Sequence, residues 1–458
     1  MRIYDTLQRS IVELAPADPE ALTIYACGPT VYRPVHVGNL RTFLMSDLIR
    51  RVAVYLGMPV RLIQNITDVG HMTDELFGAD GEDRMEQAAV LEGRSTEEIA
   101  EHYTQMFMRD TAAIGILQAD GYPRASEHIE HMQELISKLI ERGHAYEIDG
   151  TVYYDTHSFP DYGKLSGNKL EALEADHRKI IDDANKKHPS DFVLWKAAGP
   201  NRLIRFPSPW GEGYPGWHIE CSAMSMQAFG ETLDLHTGGE DNVFPHHEDE
   251  IAQSEGATGA QVVRHWMHGA HLLRDGRKMS KSARNDHTLA DLAEMGVSDP
   301  LALRLVFLQA RYRAQMNLTT EALLASQRAL SRWRRLAEAT GDVNEQALEP
   351  YEERFRDAIA DDLDMPSAVA LIGRVASDEL LSPADRGHLL RRWDAVLGLG
   401  FSEGRAIEIP AEVAELVEKR ADARANKDFA GSDALRSRIA ELGFKVTDTP
   451  EGQKVRPL

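Results

Sequence analysis

The 458 residues carry 51 Lys and Arg against 73 Asp and Glu, a net charge of −22, with 43% hydrophobic and 27% charged side chains. A chain of this size builds roughly two to four domains with sizeable cores. It is too acidic to bind nucleic acid indiscriminately, although a local basic face on an acidic body stays open. No stretch approaches a membrane span, Met1–Thr6 does not read as a signal peptide, and two cysteines, Cys27 and Cys221, make no disulfide framework. A cytoplasmic protein with free thiols is expected.

Residues 1–20 read as a lead-in strand and loop. Leu22–Ala26 is apolar and rich in strand formers, and Gly28–Pro29 marks a turn. Apolar side chains at Leu40, Phe43, Leu44, Leu48 and Val52 then recur at helical spacing until Gly57, and Met58–Gln64 is the next strand. In such a strand–helix–strand unit the turn lies at the carboxyl end of a parallel strand, where open α/β sheets bind ligands. That turn holds Cys27 and the tetrad His36–Val37–Gly38–Asn39. An acidic loop at 74–84 and an amphipathic helix around 96–114 follow.

Residues 115–205 interrupt the α/β pattern. A helix from Glu127 to Arg142 gives way to strands Tyr146–Ile148 and Thr151–Asp155, and Asp149–Gly150 between them predicts a hairpin. A charged stretch at 169–188 leads to Ser190–Lys196. The pattern resumes over Ser208–Met224, with a helix to about Phe229. Thr232–Thr237 is a strand that breaks at Gly238–Gly239–Glu240–Asp241. After Pro245, His246–Ser254 reads as a helix, and His265–His271 as a strand leading to the loop Lys278–Met–Ser–Lys–Ser282.

From Pro300 the chain reads as almost wholly helical. Leu301, Leu305, Leu308 and Tyr312 form an apolar face with Arg304, Arg311 and Arg313 nearby. Arg328, Arg332, Arg334 and Arg335 form the densest basic run, whose plain reading is a solvated helix face. A linker with Gly404 and Pro410 precedes a small tail, 411–458. No internal repeat or low-complexity segment is evident.

The tetrad alone is a weak signal, but the lysine loop is a far rarer string. Together they resemble the two signatures of class I aminoacyl-tRNA synthetases. Gly38 would let the backbone approach a nucleotide, His36 would donate to a phosphate, and the helix amino end favours anionic charge. Lys281 would neutralise charge growing on a pyrophosphate. Separately, Cys27, Cys221 and the pair His246/Glu250 offer two thiolates, an imidazole and a carboxylate, a plausible zinc set. His246 and Glu250, four apart, share a helix face; His247, three from Glu250, shares it too, and spacing leaves both histidines open.

Longer strings also match: Tyr25–Thr30, Tyr162–Ser166, Asp191–Lys196, Gly216–Met224 and Phe244–Ser254, in order and continuing to Asp448–Gly452. Over nearly the whole chain these resemble the cysteinyl-tRNA synthetase family. The resemblance implies an α/β fold: a Rossmann-like parallel sheet split by an insertion, then an α-helical bundle and a small α+β C-terminal domain. The implied divisions are catalytic halves at 1–114 and 206–299, an insertion at 115–205, a bundle at 300–402 facing the tRNA stem, and an anticodon-reading tail at 411–458. It implies one Zn²⁺ per chain on Cys27, Cys221, His246 and Glu250, selecting His246 over His247, and Mg²⁺ accompanying ATP. Thr30, Trp217 and His236 would line the cysteine pocket. His36, Gly38, Gly238, Gly239, Asp241 and Lys281 would serve ATP, and His36, Asn39, Lys278 and Lys281 would serve catalysis. The partners implied are ATP, L-cysteine and tRNA(Cys), with no membrane, for a monomer in the cytoplasm.

The chain departs from the family's usual form at Gly70–Asp74, at Ala283–Arg–Asn–Asp–His287 after the lysine loop, and at Gln453–Leu458, which indicates a divergent branch. Two rivals are a sister ligase of mycothiol synthesis, which joins cysteine to a glucosaminyl-inositol and generally lacks the tail, and a non-charging cysteine or nucleotide sensor. Lys427–Arg436 and Asp448–Pro450 favour transfer RNA over the first. Intact His36, Gly38, Lys278 and Lys281 speak against the second.

Overall fold

The structure is a computed structural model that describes residues 1–69, 83–170, 184–200, 202–279, 285–402, 411–426, 428–442, 444–449 and 452–457. The lead-in is a hairpin, not a single strand: β1 (Arg2–Asp5) pairs antiparallel with β2 (Ser10–Glu13). Asp5 ties this hairpin to the body by accepting from His265 Nδ1 at 2.9 Å and from the Trp266 backbone N–H at 3.3 Å.

β3 (Leu22–Ala26) and β4 (Val60–Gln64) run parallel, joined by the helix Val37–Tyr55. The apolar side chains that predict this helix are all buried on it, and Gly57 follows its end with φ +87°. Side chains alternate across a strand, so β3 serves two cores. Leu22 and Ile24 pack with the helix 37–55, whereas Tyr25 faces a second core built on the helices Ile129–Glu141 and Trp217–Phe229.

The insertion carries an antiparallel sheet of β5 (Ala145–Ile148), β6 (Thr151–Tyr154), β7 (Phe192–Ala197) and β8 (Gly213–Pro215), in that order. Its first turn is the predicted one: Asp149 and Gly150 both take positive φ, 50° and 80°, as a two-residue hairpin matched to strand twist requires. The sheet runs on past residue 205, because β8 pairs with β7 before the helix 217–229 begins.

β9 (Leu233–Gly239) and β10 (Val263–Gly269) complete the parallel sheet, order β10-β9-β3-β4. β9 is buried throughout yet carries Asp234 and His236. Asp234 is satisfied by the Thr23 N–H and hydroxyl, both at 3.0 Å, and by Arg264 at 2.7 Å. His236 is turned toward the site described below. The helix Glu248–Thr258 follows β9 and is buried over nearly its whole length.

Beyond the sheet, β11 (Leu272–Arg274), β12 (Arg277–Lys278) and β13 (Met316–Leu318) form a small sheet, so one strand lies inside the region expected to be wholly helical. The helix Leu301–Leu308 is buried on every side and stops before Tyr312, which therefore does not extend its face. Arg304, noted beside that face, is a core cation. It is fully buried, donating to Asp47 at 2.8 Å and to the carbonyls of Leu397 and Gly115 at 2.5 and 3.0 Å. One hydrophobic core accordingly runs from helix 37–55 through helix 301–308 to the helices Thr320–Ala337, Glu345–Ala360, Met365–Ser377 and Pro383–Leu397. The tail has a core of its own, Val413, Ile439, Phe444 and Val446, between the helices Ala411–Ala425 and Phe429–Glu441 and the hairpin β14 (Phe444–Thr449) with β15 (Gly452–Pro457). No helix of the described residues is long and apolar enough to cross a membrane.

Candidate active site

The end of β3, the start of helix 217–229 and the segment 246–250 converge on one point. Donor atoms of Cys27, Cys221, His246 and Glu250 all lie within 4.8 Å of one another, and both cysteines are free thiols. Residues more than two hundred positions apart in sequence are brought together because β3 and β9 are neighbours. The same region offers an overlapping set, Cys27, His236, His247 and Glu250.

Each donor is held by a further partner. His246 presents Nε2 to Glu250 Oε1 at 3.1 Å, while its Nδ1 lies 2.7 Å from His218 Nδ1. His218 Nε2 in turn faces Asp249 at 3.4 Å. Burial drives the His218 pKa down to about 3, so the ring is neutral. Were a metal to take the His246 Nε2 lone pair, Nδ1–H would donate to His218, an arrangement that fixes tautomer and ring plane. Glu250 Oε2 accepts from His236 Nε2 at 2.9 Å. Glu250 Oε1 is buried without a hydrogen bond.

Cys27 Sγ lies 3.1 Å from His247 Nε2; His247 Nδ1 lies 2.7 Å from His268 Nε2; His268 Nδ1 lies 2.8 Å from the Thr6 hydroxyl. Burial holds both imidazoles neutral, with His268 lowered to about 3. A chain of neutral imidazoles ending on a hydroxyl satisfies either state of the sulfur. It accepts from a Cys27 thiol, or runs in reverse and donates to a thiolate.

Without an ion the donors resist ionisation. Hydrogen bonding from Cys221 favours the Cys27 thiolate, but burial and the carboxylates of Glu250 and Asp241 outweigh it and raise the thiol. Cys221 is raised strongly, first by its bond with Cys27 and then by burial. Burial also raises Glu250. Two sulfurs, one imidazole and a carboxylate oxygen with no other donor match a borderline-soft divalent ion, which would replace these protons. The residues present fit zinc.

Cys27, Cys221 and His246 form one wall of a cavity of about 300 Å³, lined also by Thr30, His36, Asn39, Trp217, Gly239 and Asp241. Trp217 packs on His246 with ring centroids 4.2 Å apart. His236 does not reach the cavity; it is fully buried behind Glu250. Neither Gly38 nor Gly238 lines it, but each leaves room for a neighbouring imidazole. An added Cβ at Gly38 would stand 2.9 Å from the His36 ring, and one at Gly238 would stand 2.6 Å from the His247 ring. A side chain at Gly239 would collide with Asp241, and one at Gly28 with the Asn65 carbonyl.

His36 caps helix 37–55 reciprocally. Its Nδ1 accepts from the Asn39 N–H at 3.2 Å, and Asn39 Oδ1 accepts from the His36 N–H at 3.2 Å. Burial, then Arg33, lowers the His36 pKa, so the ring is neutral. An accepting Nδ1 leaves the proton on Nε2, a single donor fixed at the helix amino end. The lysine loop borders this turn: Met279 packs near Gly38, the Val37 N–H donates to the His287 carbonyl at 2.8 Å, and Arg33 pairs with Asp286 at 3.2 Å. The Lys278 backbone ends β12, while its side chain and Lys281 lie outside the described residues.

Sequence reasoning did not single out His218, Asp249 or His268, which back the metal donors, or Asn65, which lines the cavity and accepts from the Gly28 N–H at 2.8 Å. His218 and Asp249 stand inside strings that resembled the family, and that was their only signal. Of the basic run on helix 320–337, Arg334 pairs with Asp299 and donates to the Leu399 carbonyl at 2.9 Å. Arg328, Arg332 and Arg335 line a shallow depression on the helix surface and have no ion-pair partner among the described residues.

Residues 13–328 match the tRNA synthetases class I (C) catalytic domain, and residues 407–456 match the cysteinyl-tRNA ligase anticodon binding domain. The chain is 43% identical over 482 aligned positions to a cysteine–tRNA ligase of Thermus thermophilus, covering 99% of this chain and 98% of the relative. It is 39% identical to that of Methanosarcina mazei, covering 100% and 99%. Among solved structures, the fold is similar to LeuRS of Agrobacterium radiobacter K84 in a ternary complex with tRNA and LeuAMS (TM-score 0.57, 12% identity, 85% of each chain). It is similar too to methionyl-tRNA synthetase of Mycobacterium tuberculosis bound by methionyl-adenylate (TM-score 0.55, 17% identity, 83% of this chain and 88% of that one). With both halves of the polypeptide matched and the relatives spanned end to end, the chain belongs to the cysteine–tRNA ligase family of class I aminoacyl-tRNA synthetases.

Proposed function

We propose that this protein activates L-cysteine with ATP and passes it to the 3′-terminal ribose of tRNA(Cys), choosing its amino acid through a zinc ion on Cys27, Cys221, His246 and Glu250. The convergence of those four donors beside the cavity that Cys27, Cys221 and His246 line together with His36 and Asn39 carries this reading. When bound, the zinc would supply a site for the substrate thiolate that a serine hydroxyl could not fill, discrimination that an apolar pocket supplies only weakly. Thr30 and Trp217 form the adjoining wall of the amino-acid pocket, with His236 bracing Glu250 from behind. Asp241 accepts ribose hydroxyls beside Gly238 and Gly239.

His36 Nε2–H donates to the nucleotide's phosphates, aided by the amino end of helix 37–55. Lys278 and Lys281 offset the charge that grows on pyrophosphate, with Mg²⁺ carried by ATP. No side chain serves as nucleophile; the substrate carboxylate attacks the α-phosphorus, and the ribose hydroxyl later attacks the adenylate. The protein contributes position and fixed charge. Residues 1–114 and 206–299 act as the catalytic halves around the insertion 115–205. The bundle 300–402 meets the RNA stem through Arg328, Arg332 and Arg335, and the tail 411–458 reads the anticodon. The match of that tail to an anticodon-binding domain favours an RNA acceptor over a sugar amine. A cytoplasmic monomer is inferred.

Purified, zinc-replete protein is expected to catalyse cysteine-dependent pyrophosphate exchange and to charge tRNA(Cys), while ignoring serine. Activation of cysteine with no charging of tRNA(Cys) would overturn the assignment.

A further inference from the structure

The insertion carries a second set of metal-ligating side chains that shares no residue with the first. Asp155 follows β6, His157 sits in the turn Thr156–Ser158, and His188 lies just ahead of β7; one donor atom from each lies within 4.8 Å of the others. Asp155 Oδ2 faces Lys187 Nζ at 3.5 Å, whereas Oδ1 is buried with no hydrogen-bond partner. A buried carboxylate oxygen without a donor is costly and calls for a reason. The His157 and His188 rings stack with centroids 3.7 Å apart and planes 27° from parallel.

The ligands rest on a prepared base. Asp191 Oδ1 accepts from the Thr156 N–H at 3.0 Å and its hydroxyl at 3.1 Å. Asp191 Oδ2 accepts from the His188 N–H at 3.0 Å and from Tyr146 Oη at 2.7 Å. One carboxylate therefore pins both the turn carrying His157 and the segment carrying His188. A site supported this way keeps its donors in register.

We propose that Asp155, His157 and His188 bind a second divalent ion of the zinc, cobalt and nickel class. Two imidazole nitrogens and one carboxylate oxygen, completed by water, suit those ions and not calcium or magnesium, which take oxygen. Lys187 leaves Asp155 when the ion arrives, so this site binds more weakly than the two-thiolate one. The ion clips the turn after β6 to the approach to β7, a structural role in the insertion.

The test is metal stoichiometry on the full chain titrated with Zn²⁺ and with Co²⁺. Wild type binds two equivalents. His157→Ala and His188→Ala each bind one, the second-ion affinity falling by at least about tenfold, the lower end of what losing even an outer-shell partner costs. The double variant Cys27→Ser/Cys221→Ser, which has no thiolate left, keeps a weak d–d band with Co²⁺ and shows no thiolate charge-transfer band. His157 is exposed, so His157→Gln and His157→Ala are expected to fold, and circular dichroism verifies it. A single equivalent in wild type at saturating Zn²⁺, or two equivalents in both histidine variants, would overturn the proposal.

Discussion

Gly38→Ala separates helix stability from catalytic geometry. Gly38 is the second residue of helix 37–55, where alanine would ordinarily stabilise by about 1 kcal/mol. Its Cβ, however, would stand 2.9 Å from both Cε1 and Nδ1 of His36, against 3.4 Å for ordinary contact. The ring must retreat by about half an ångström, and Nδ1 is anchored by the Asn39 N–H, so the Nε2 donor swings out of place. Misplacement by an ångström costs about 10²-fold. Half that shift gives a loss of roughly 10-fold, about 1.4 kcal/mol of transition-state stabilisation. His36→Ala, which removes the donor outright, should cost about 10²- to 10³-fold. The assay is single-turnover adenylate formation at saturating cysteine and ATP, alongside thermal melting and zinc content. The expected pattern for Gly38→Ala is slower chemistry with unchanged zinc and an unchanged or raised melting temperature. A rate within twofold of wild type, or a loss tracking zinc content, would refute the argument from His36 placement.

Further outcomes follow from other contacts. Glu250→Gln should lower zinc affinity by at least about tenfold and raise serine activation relative to cysteine, measured by metal analysis after dialysis and by pyrophosphate exchange with each amino acid. Changing Arg328, Arg332 and Arg335 together to Gln should raise the KM for tRNA and flatten its salt dependence, by about 0.7 to 0.9 in log–log slope per lost phosphate contact. Cysteine activation should be unaffected, and a salt slope equal to wild type would remove these residues from the RNA face. His268 is lowered by burial from 6.5 to about 3. As pH falls below 6.5 the unfolded chain takes up a proton that the folded ring refuses, so this group withdraws stability down to about pH 3. His268→Asn should lessen the acid sensitivity of the zinc-free protein between those limits, read as unfolding midpoint against pH; an unchanged acid limb would contradict the assigned burial effect.

Local order was legible where one pattern dominated. The strand at 22–26, the turn after it and the helix to Tyr55 follow from alternation, punctuation and 3.6-residue periodicity, and Asp149–Gly150 dictated its hairpin. β8 escaped because three residues, Gly–Tyr–Pro, carry no period, and its pairing with β7 is set by tertiary contact. Arg304 was noted only as lying near an apolar face, because sequence shows charge but not the Asp47 carboxylate and the backbone carbonyls that bury it. The four candidate zinc donors form no local spacing, so family likeness alone chose His246 over His247. The geometry explains why the choice is close: His246 faces Glu250 at 3.1 Å, while His247 contacts Cys27 itself at 3.1 Å.

The Arg304–Asp47 lock has a mechanical corollary. Helix 37–55 begins at the His36 cap on the cavity and carries, midway along, the carboxylate that grips the helical bundle. A cation enclosed by backbone oxygens cannot slide without stranding both charges in a dry interior. The seam between sheet and bundle is therefore a rigid joint, and the span from helix 320–337 to the cavity beside His36 is set when the chain folds, as on a ruler.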